Sequence, residues 1–308
     1  MSDVNVAAVD IGTNSVRLLI ADQSGLEVER TMRITRLGQG VDVTGALDPE
    51  AIARTTQVLS AYRSRIEHFG VQRVRATATS AARDATNSQH FFDAAERALG
   101  VRPELLGGEE EARLSFLGAT AELPPRDGPF LVIDVGGGST ELALGTTGPE
   151  ALVSLQLGCV RMTERHLKTD PPTPQELDAC LADIRGQVAK ARTTIDPRNA
   201  RRIVGLAGTV TTLAALELGL SHYDATRTHH STLTRTQVET WFERLSHMAL
   251  PERRLILAEP QRAGVILGGA AVLLTLMREL GIAELLVSEH DILDGLVAAF
   301  TAAIGVPP

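Results

Sequence analysis

Two short segments of this 308-residue chain resemble each other, and this repeat limits the possible folds more than any other feature of the sequence. The first copy is "DIGTNSVR", residues Asp10–Arg17, and the second is "DVGGGSTE", residues Asp134–Glu141, which lies 124 positions further along. Such a period is far longer than a solenoid repeat, so it indicates a duplicated domain. We therefore expect two similar lobes with a cleft between the two turns. The positions in register are Asp10 with Asp134, Gly12 with Gly136, Ser15 with Ser139 and Leu18 with Leu142, whereas Arg17 corresponds to Glu141.

Each copy lies between two apolar runs, which is the pattern of a strand, a tight turn and a second strand. Segments with helical periodicity follow in both halves. The mixture predicts an α/β fold. A linker is expected at "AELPPRDGP", residues Ala121–Pro129, because it is rich in proline and glycine. Strands are predicted at Val4–Val9, Ser15–Ala21, Val28–Thr35, Arg73–Ala78, Phe130–Val135, Thr140–Gly145, Ala151–Gln156, Arg202–Leu206 and Glu284–Val287. Helices are predicted at Pro49–Phe69, with Asp48 as cap, and at Gln89–Leu99, Glu109–Ala121, Thr173–Thr193, Val210–Leu218, Arg235–Ala249 and Gly264–Leu280.

Composition excludes several classes of protein. The formal net charge of −8 and the lack of a Lys/Arg-rich run argue against a general nucleic-acid binder. The N-terminus has no secretory-signal pattern, so a cytoplasmic protein is expected, and its two cysteines, Cys159 and Cys180, are expected to be reduced. The longest apolar stretch, Ala263–Met277, is too short to span a bilayer and predicts a buried helix.

The residues of the two turns suit phosphate. Glycine allows positive φ and close approach of the backbone, so that successive N–H groups can face an anion. The carboxylates of Asp10 and Asp134 would repel phosphate unless a divalent cation lay between them, and Mg²⁺ is the usual ion in that role. The pattern therefore indicates metal-assisted phosphoryl transfer, although either turn alone is also compatible with an ordinary hairpin. Neither is a Walker A or dinucleotide-binding motif, because a strand follows each turn. Further donors are offered by Thr13, Asn14, Ser15, Ser139 and Thr140.

Three more segments are candidates for the same chemistry. "GLAGTVTTLAAL", residues Gly205–Leu216, leads from a strand into a helix with Thr209 as predicted N-cap, which is an anion site or an ordinary turn. Arg83 either donates bidentate hydrogen bonds to phosphate oxygens or lies at the surface. Among the glutamates of "GGEEEARLSFLGA", Glu109 and Glu110 suit the positive end of a helix dipole. The helical spacing of Glu111 places it on the same side as residues expected to pack, where its carboxylate could accept a proton from water.

Other residues receive simpler interpretations. His229 and His230 are predicted to lie in a surface loop, because no third metal ligand has suitable spacing. Arg161 reaches either the phosphate or the surface. With few aromatic residues, including the single Trp241, the chain has no obvious platform for stacking bases.

Taken together, the chain resembles the exopolyphosphatase / guanosine pentaphosphate phosphohydrolase family over nearly its whole length. The motifs that carry the resemblance are "DIGTNSVRLLI", "RLGQGVD", "ATSAARDATN", "GGEEEARLSFLGA", "DVGGGSTEL", "LGCVRMTERHL" and "GLAGTVTTLAAL". The resemblance implies the actin / Hsp70 / sugar kinase superfold, with RNase H-like lobes at residues 1–122 and 123–308 and a C-terminal helix that packs back on the first lobe.

The resemblance also implies Mg²⁺-dependent hydrolysis, with Mn²⁺ as the alternative ion, of the terminal phosphoanhydride of inorganic polyphosphate, in a homodimer without a membrane or nucleic-acid partner. By motif, the catalytic residues would be Glu111, Glu141 and Arg83, and the metal ligands Asp134, Glu141 and Asp10. The substrate-binding residues would be Asn14, Ser15, Arg17, Gly136, Gly137, Gly138, Ser139, Thr140, Gly208 and Thr209.

Two departures from the family pattern matter for specificity. "SEHDILDGL", residues Ser288–Leu296, has Leu293 and Asp294 where many members have an Arg-Glu pair. The chain also lacks the C-terminal helical domain of the long members, so we expect the short form and a preference for short polyphosphates. The alternative substrate is guanosine pentaphosphate (pppGpp), and the alternatives of another class are a non-hydrolysing phosphate sensor and an actin-like ATPase.

Overall fold

The computed structural model describes residues 5–303, and the side chains of residues 5–300. Val4, predicted to begin the first strand, lies outside the described residues. The chain divides into two compact units: unit 1 contains the residues up to Gly118 and those from Asp291 onward, and unit 2 contains Ala119–His290. The division thus falls after Gly118 and not after residue 122. Residues from Asp291 onward belong to unit 1 although the second lobe was predicted to extend to residue 308, and the last helix packs on the sheet of unit 1, as the resemblance implied.

The sheet of unit 1 has the strand order β3-β2-β1-β4-β5. Its first three strands are antiparallel neighbours, and β4 and β5 continue the sheet in parallel with β1. Both faces of β1 are buried, which explains its continuous apolar sequence. The strands are β1 (Val6–Ile11), β2 (Ser15–Ala21), β3 (Glu27–Ile34), β4 (Arg73–Ala78) and β5 (Glu104–Leu105).

Helices cover the sheet of unit 1 on both faces. One core contains Ile11, Leu18, Leu59 and Phe91, and the other joins Leu19 to Leu296 of the last helix. As predicted, the longest helix begins with Pro49 and is capped by Asp48, whose side chain accepts the backbone N–H groups of residues 50 and 51. The helices are α1 (Val41–Thr44), α2 (Pro49–His68), α3 (Ser80–Asp84), α4 (Ser88–Leu99), α5 (Gly108–Thr120), which crosses the division, and α13 (Ile292–Ala303).

The sheet of unit 2 has the strand order β10-β11-β9-β6-β7-β8. Strands β6, β7 and β8 are antiparallel neighbours, β9 and β11 run parallel to β6, and β10 pairs antiparallel with β11 at the edge. The strands are β6 (Phe130–Val135), β7 (Thr140–Gly145), β8 (Pro149–Leu155), β9 (Arg202–Leu206), β10 (Thr232–Thr234) and β11 (Glu284–Val287).

The core of unit 2 is built around one apolar helix, α12. Its residues Ile266–Met277 are all buried, so the predicted buried helix is confirmed. Within the described residues, no helix combines the length and the apolar character needed to cross a bilayer. The helices are α6 (Cys159–His166), α7 (Pro174–Ala191), α8 (Ala207–Glu217), α9 (Ala225–Thr228), α10 (Arg235–His247), α11 (Leu250–Ile256) and α12 (Ile266–Glu279).

The two sheets repeat one topology. Three antiparallel strands in chain order are followed by two strands parallel to the first, giving β3-β2-β1-β4-β5 in unit 1 and β8-β7-β6-β9-β11 in unit 2. This is the arrangement of an RNase H-like lobe, so the predicted α/β fold with two similar lobes is confirmed. The duplicated turns of the sequence connect the first two strands of each copy.

Candidate active site

The turn of unit 1 joins β1 to β2 and buries polar side chains. The Gly12 N–H donates to the Ser15 carbonyl oxygen at 2.9 Å, which closes the turn. Thr13 and Asn14 are 6% and 7% exposed. Within the described residues, neither the Thr13 Oγ1 nor the Asn14 Oδ1 has a hydrogen-bond partner. Burying such groups without partners costs free energy, which indicates that the turn is built to receive a ligand.

The turn of unit 2 joins β6 to β7 with the same geometry. The Gly136 N–H donates to the Ser139 carbonyl oxygen at 3.1 Å, the counterpart of the bond in the first turn. The Thr140 Oγ1 donates to the Leu157 carbonyl oxygen at 2.8 Å, which anchors the start of β7. The repeat seen in the sequence is therefore also a repeat of backbone hydrogen bonding.

The glycines of these turns serve close packing rather than unusual backbone angles. Positive φ was expected, and this expectation is wrong: Gly12, Gly136, Gly137 and Gly138 are absent from the glycines in the left-handed region. A Cβ on Gly136 would instead lie 2.9 Å from the Ser139 carbonyl oxygen. The start of α6 packs against the turn, since the Cys159 and Val160 N–H groups donate to the carbonyl oxygens of Gly136 and Gly137, both at 2.9 Å.

One cross-strand position distinguishes the two units. In unit 1, Asp10 lies opposite Arg17, and the Asp10 Oδ2 accepts the Arg17 Nη2–H at 2.8 Å and the Nε–H at 3.2 Å. Arg17 also forms an ion pair with Asp291, and Asp10 is 2% exposed. Burial raises the pKa of the Asp10 carboxyl, and Arg17 opposes that rise. Asp10 is already paired with an arginine, and both its role as a metal ligand and a substrate contact of Arg17 stay predictions.

In unit 2 the equivalent position pairs two carboxylates. Asp134 lies directly opposite Glu141 on β6 and β7, with exposed fractions of 7% and 2%. Cross-strand neighbours point to the same face, and two buried like charges there repel each other unless a cation or proton is shared. The Ser154 Oγ donates to the Glu141 Oε1 at 2.7 Å, which orients the carboxylate. Carboxylate oxygens are hard ligands, so this pair fits Mg²⁺.

Arg83 and Glu111 meet in unit 1 although they are far apart in the sequence. The Arg83 Nη1 donates to the Glu111 Oε2 at 2.7 Å and to the Leu106 carbonyl oxygen at 2.8 Å. The Arg83 Nη2 is buried and has no hydrogen-bond partner among the described residues. Part of the guanidinium therefore remains available for an anion. The neighbouring Glu110 pairs with Arg113 at 2.6 Å near the surface, which separates it from the predicted chemistry.

The start of α8 differs from the prediction. The helix begins at Ala207 after Leu206, so Thr209 lies inside the first turn and is not the N-cap. The reason is that Ala207 adopts φ 68°, which bends the chain so that the helix begins three residues before its predicted start at Val210. The end of β6 lies beside this bend, because Asp134 is in register with Leu206. Gly208 and Thr209 therefore follow a strand end, as the sequence predicted, and the structure adds that this strand end lies next to the carboxylate pair.

Sequence reasoning missed one cation at this bend. A Cβ on Gly208 would overlap the guanidinium of Arg262, which also pairs with Glu259 at 2.7 Å. Arg262 is the last residue of a short 3-10 helix far along the chain, and no motif or spacing links it to Gly208. Arg161, whose role was left open, donates from Nε to the Gly138 carbonyl oxygen at 2.6 Å and so lies on the glycine turn.

The structure brings Glu122 and His290 close to His229, one of the two histidines that were predicted to lie in a surface loop. Ligand atoms of Glu122, His229 and His290 lie within 4.8 Å of one another. The Glu289 N–H donates to the His229 Nδ1 at 3.1 Å, which places the ring proton on Nε2, 3.2 Å from the Glu122 Oε2. A metal ligand needs a lone pair at that nitrogen, so this arrangement favours a hydrogen-bonded cluster over a metal site.

The structure thus assembles the predicted residues within each unit. Unit 1 contains the first turn and the pair of Arg83 with Glu111. Unit 2 contains the glycine turn, the carboxylate pair and the start of α8. In unit 1 the predicted residues are Asp10, Asn14, Ser15, Arg17, Arg83 and Glu111, and in unit 2 they are Asp134, Gly136, Gly137, Gly138, Ser139, Thr140, Glu141, Gly208 and Thr209.

The chain is similar to known proteins in both sequence and fold. The model of the Ppx/GppA phosphatase family matches residues 19–300 of the chain. Exopolyphosphatase 2 of Mycobacterium tuberculosis is 46% identical, and the alignment covers 96% of this chain and 98% of that protein. The crystal structure of the Aquifex aeolicus member of the Ppx/GppA family is 35% identical, with a TM-score of 0.80 and coverage of 98% and 99%.

Longer relatives match over part of their length. The guanosine-5'-triphosphate,3'-diphosphate pyrophosphatase of Photobacterium profundum is 29% identical over 94% of this chain but only 58% of that protein. The family match nevertheless extends over most of this chain, and the alignment with the M. tuberculosis relative covers 96% of it. This protein therefore belongs to the Ppx/GppA phosphatase family.

Proposed function

We propose that this protein is an exopolyphosphatase, which hydrolyses the terminal phosphoanhydride of inorganic polyphosphate and releases orthophosphate. The observation that carries the proposal is the buried pair of carboxylates, Asp134 and Glu141, at the glycine turn of unit 2. The relative with 46% identity over nearly the full length of both chains is named Exopolyphosphatase 2. A substrate with a dense negative charge fits a site made of amides, arginine and paired acids.

Mg²⁺ is the cofactor that we propose for this reaction. Asp134 and Glu141 would hold it, since their oxygens are the donor type that the ion prefers and Ser154 fixes one of them. When bound, the ion would neutralise charge on the phosphate oxygens and polarise the terminal phosphorus. We also propose that the protein is a homodimer and that it is cytoplasmic. A sizing experiment on the purified protein tests the homodimer.

Glu111 is proposed to position and deprotonate the attacking water. Arg83 holds its carboxylate through one nitrogen and keeps another, Nη2, available for a phosphate oxygen. Phosphoryl transfer proceeds through a loose transition state, so the protein contributes positioning and charge neutralisation rather than a covalent bond. The amides and hydroxyls of the two turns would bind the remaining phosphate oxygens.

The first test is phosphate release by the purified protein. Short polyphosphate, long polyphosphate and pppGpp are compared with and without Mg²⁺, and then with EDTA. We expect release from short polyphosphate that depends on the metal. Faster release from pppGpp would make the alternative substrate the correct one, and binding without release would indicate a sensor.

Replacement of Glu111 tests the catalytic assignment. Glu111→Gln keeps the size of the side chain but removes its basicity, so kcat should fall by about 10²- to 10⁴-fold while polyphosphate still binds. Glu110→Gln is the matched control, because that glutamate is adjacent on the same helix and pairs with Arg113. Equal rates for the two variants would contradict the role of Glu111.

A further inference from the structure

The segment Thr35–Gly38, which follows β3, contacts the first turn through its backbone. The N–H groups of Thr35 and Arg36 both donate to the Asn14 carbonyl oxygen, at 3.1 and 2.9 Å, and the Gly38 N–H donates to the Thr13 carbonyl oxygen at 2.9 Å. Two consecutive carbonyl groups of the turn therefore point at this segment.

That direction has a consequence for the opposite side of the turn. In a trans peptide the C=O and N–H groups point in opposite directions. When the carbonyls of Thr13 and Asn14 face the segment, the N–H groups of Asn14 and Ser15 face away from it. Successive N–H groups on one side form the kind of concave surface that binds phosphate oxygens. The segment thus fixes the donor side of the turn without forming part of it.

Packing of side chains also holds the segment Thr35–Gly38 against the first turn. A Cβ on Gly38 would overlap the Thr13 Cγ2 and lie 3.0 Å from the Ala81 Cβ. Ala81 belongs to α3, the helix that carries Arg83 two residues later. Gly38 is therefore the point at which the segment packs against both the turn and α3, and only a residue without a side chain fits there.

The backbone of the segment is also strained. Arg36 adopts φ 53°, a left-handed conformation that is unfavourable for a residue with a side chain. Such strain persists where the surrounding structure requires it, and it is frequent at functional sites. The strained residue lies between two hydrogen bonds to the turn, since its own N–H donates to the Asn14 carbonyl oxygen and the Gly38 N–H donates to the Thr13 carbonyl oxygen.

We infer that the segment Thr35–Gly38 is a positioning element of the phosphate site and that Gly38 is its positioning residue, an inference that rests on the proposed function. The segment is proposed to act through the turn. It sets the orientation of Thr13 and Asn14, whose buried Oγ1 and Oδ1 atoms have no hydrogen-bond partner in the described chain.

The test combines a steric block with its relief. Gly38→Ala should displace the turn and lower kcat/KM for short polyphosphate by about 100-fold, the loss typical of a displacement near 1 Å. Thr13→Ser removes the Cγ2 that the new methyl group would strike and keeps the hydroxyl. In the Thr13→Ser background, Gly38→Ala should therefore lower kcat/KM much less. The loss relative to Thr13→Ser alone should be at least about tenfold smaller than the loss relative to the wild type.

A second glycine provides the matched control. Gly45 has φ 67°, and a Cβ added to it would have no neighbouring atom within 4 Å, so Gly45→Ala is strained but does not touch the turn. It should lower the melting temperature while kcat/KM stays within about threefold of the wild type. If Gly38→Ala loses no more activity than Gly45→Ala, or if Thr13→Ser gives no recovery, the inference is overturned.

If Gly38→Ala fails to fold, two substitutions at Arg36 test the same positioning role. Arg36→Asn and Arg36→Gly both remove the guanidinium group, but asparagine tolerates the left-handed conformation whereas glycine makes the segment more flexible. We expect a KM for polyphosphate at least about threefold higher in the glycine variant. Equal KM values would overturn the inference.

A failure of the proposed function gives a different pattern. In that case the wild type itself releases no phosphate, and the same variants are compared by calorimetric binding of tripolyphosphate. Weaker binding to Gly38→Ala, restored in the double variant, would support the positioning role without the catalytic one. Equal binding to all variants would overturn the positioning role as well.

Discussion

At the scale of single residues, one exchange separates the chemistry of the two units. The aspartates at the ends of β1 and β6 occupy equivalent positions, but Asp10 faces Arg17 and Asp134 faces Glu141. The first pair is neutral and forms an ion pair, whereas the second collects negative charge in a buried place. The sequence showed that the two aspartates correspond and that Arg17 takes the place of Glu141, whereas the pairing across the strands came from the structure.

Asp134→Asn tests the proposed metal site. The amide keeps the size of the side chain but loses the charge that holds a divalent cation, so phosphate release should lose its dependence on Mg²⁺ and slow by about 100-fold or more. The measurement is the rate as a function of Mg²⁺ concentration. An unchanged metal requirement would count against Asp134 as a ligand.

The cysteines carry a second prediction at this scale. Both are free and buried, and burial raises the pKa of Cys159 to about 11 and that of Cys180 to about 12. The reactive thiolate is therefore scarce near neutral pH. We expect neither thiol to react with Ellman's reagent in the folded protein and both to react in guanidinium chloride. Rapid reaction of a thiol in the native state would contradict this prediction.

At the scale of elements, the long helices and central strands were predicted well. Their periodicity and caps are local signals, and α2 and α12 follow them. The start of α8 did not follow its local signal: Thr209 has the sequence of an N-cap, yet the helix begins at Ala207. Short elements such as β5 and β10 were missed, because a strand of two or three residues is defined by its neighbours in the sheet and not by its own pattern.

The left-handed Ala207 leads to a prediction for α8. Ala207→Gly removes strain of about 1–2 kcal/mol, and the greater freedom of glycine in the unfolded chain costs about 0.4–1 kcal/mol. The free energy of unfolding should therefore rise by about 0.5–1 kcal/mol. Ala215→Gly, within the same helix, is the control and should lower it by about 1 kcal/mol. Denaturant titration measures both, and a loss of stability in Ala207→Gly would contradict the strain.

At the scale of the whole molecule, the chain returns to unit 1 at its end. Helix α13 packs Leu296 and Val297 against Val6 and Leu19 of β1 and β2. It is also tied by charge, since Asp291 pairs with Arg17 and Asp294 pairs with Arg30 at 2.5 Å. The C-terminal residues therefore stabilise the sheet that the N-terminal residues form.

A pair of leucine substitutions tests that contribution. Leu296 is fully buried, so Leu296→Ala should lower the free energy of unfolding by about 2–5 kcal/mol through lost contacts and a cavity. Leu255 is 86% exposed, and Leu255→Ala should change it by less than about 0.5 kcal/mol. Thermal unfolding of both variants gives the comparison. Similar melting temperatures would show that α13 adds little to unit 1.

The sequence by itself determined the duplicated α/β lobes, the two turns and the identity of the acids and hydroxyls at the strand ends, because these depend on local pattern and on a repeat that can be aligned. Only the tertiary structure decided that Arg83 holds Glu111, that Arg262 lies over Gly208 and that Gly38 packs on Thr13. These contacts join residues that are distant along the chain. Their geometry depends on how strands and helices pack together, which no short stretch of sequence specifies.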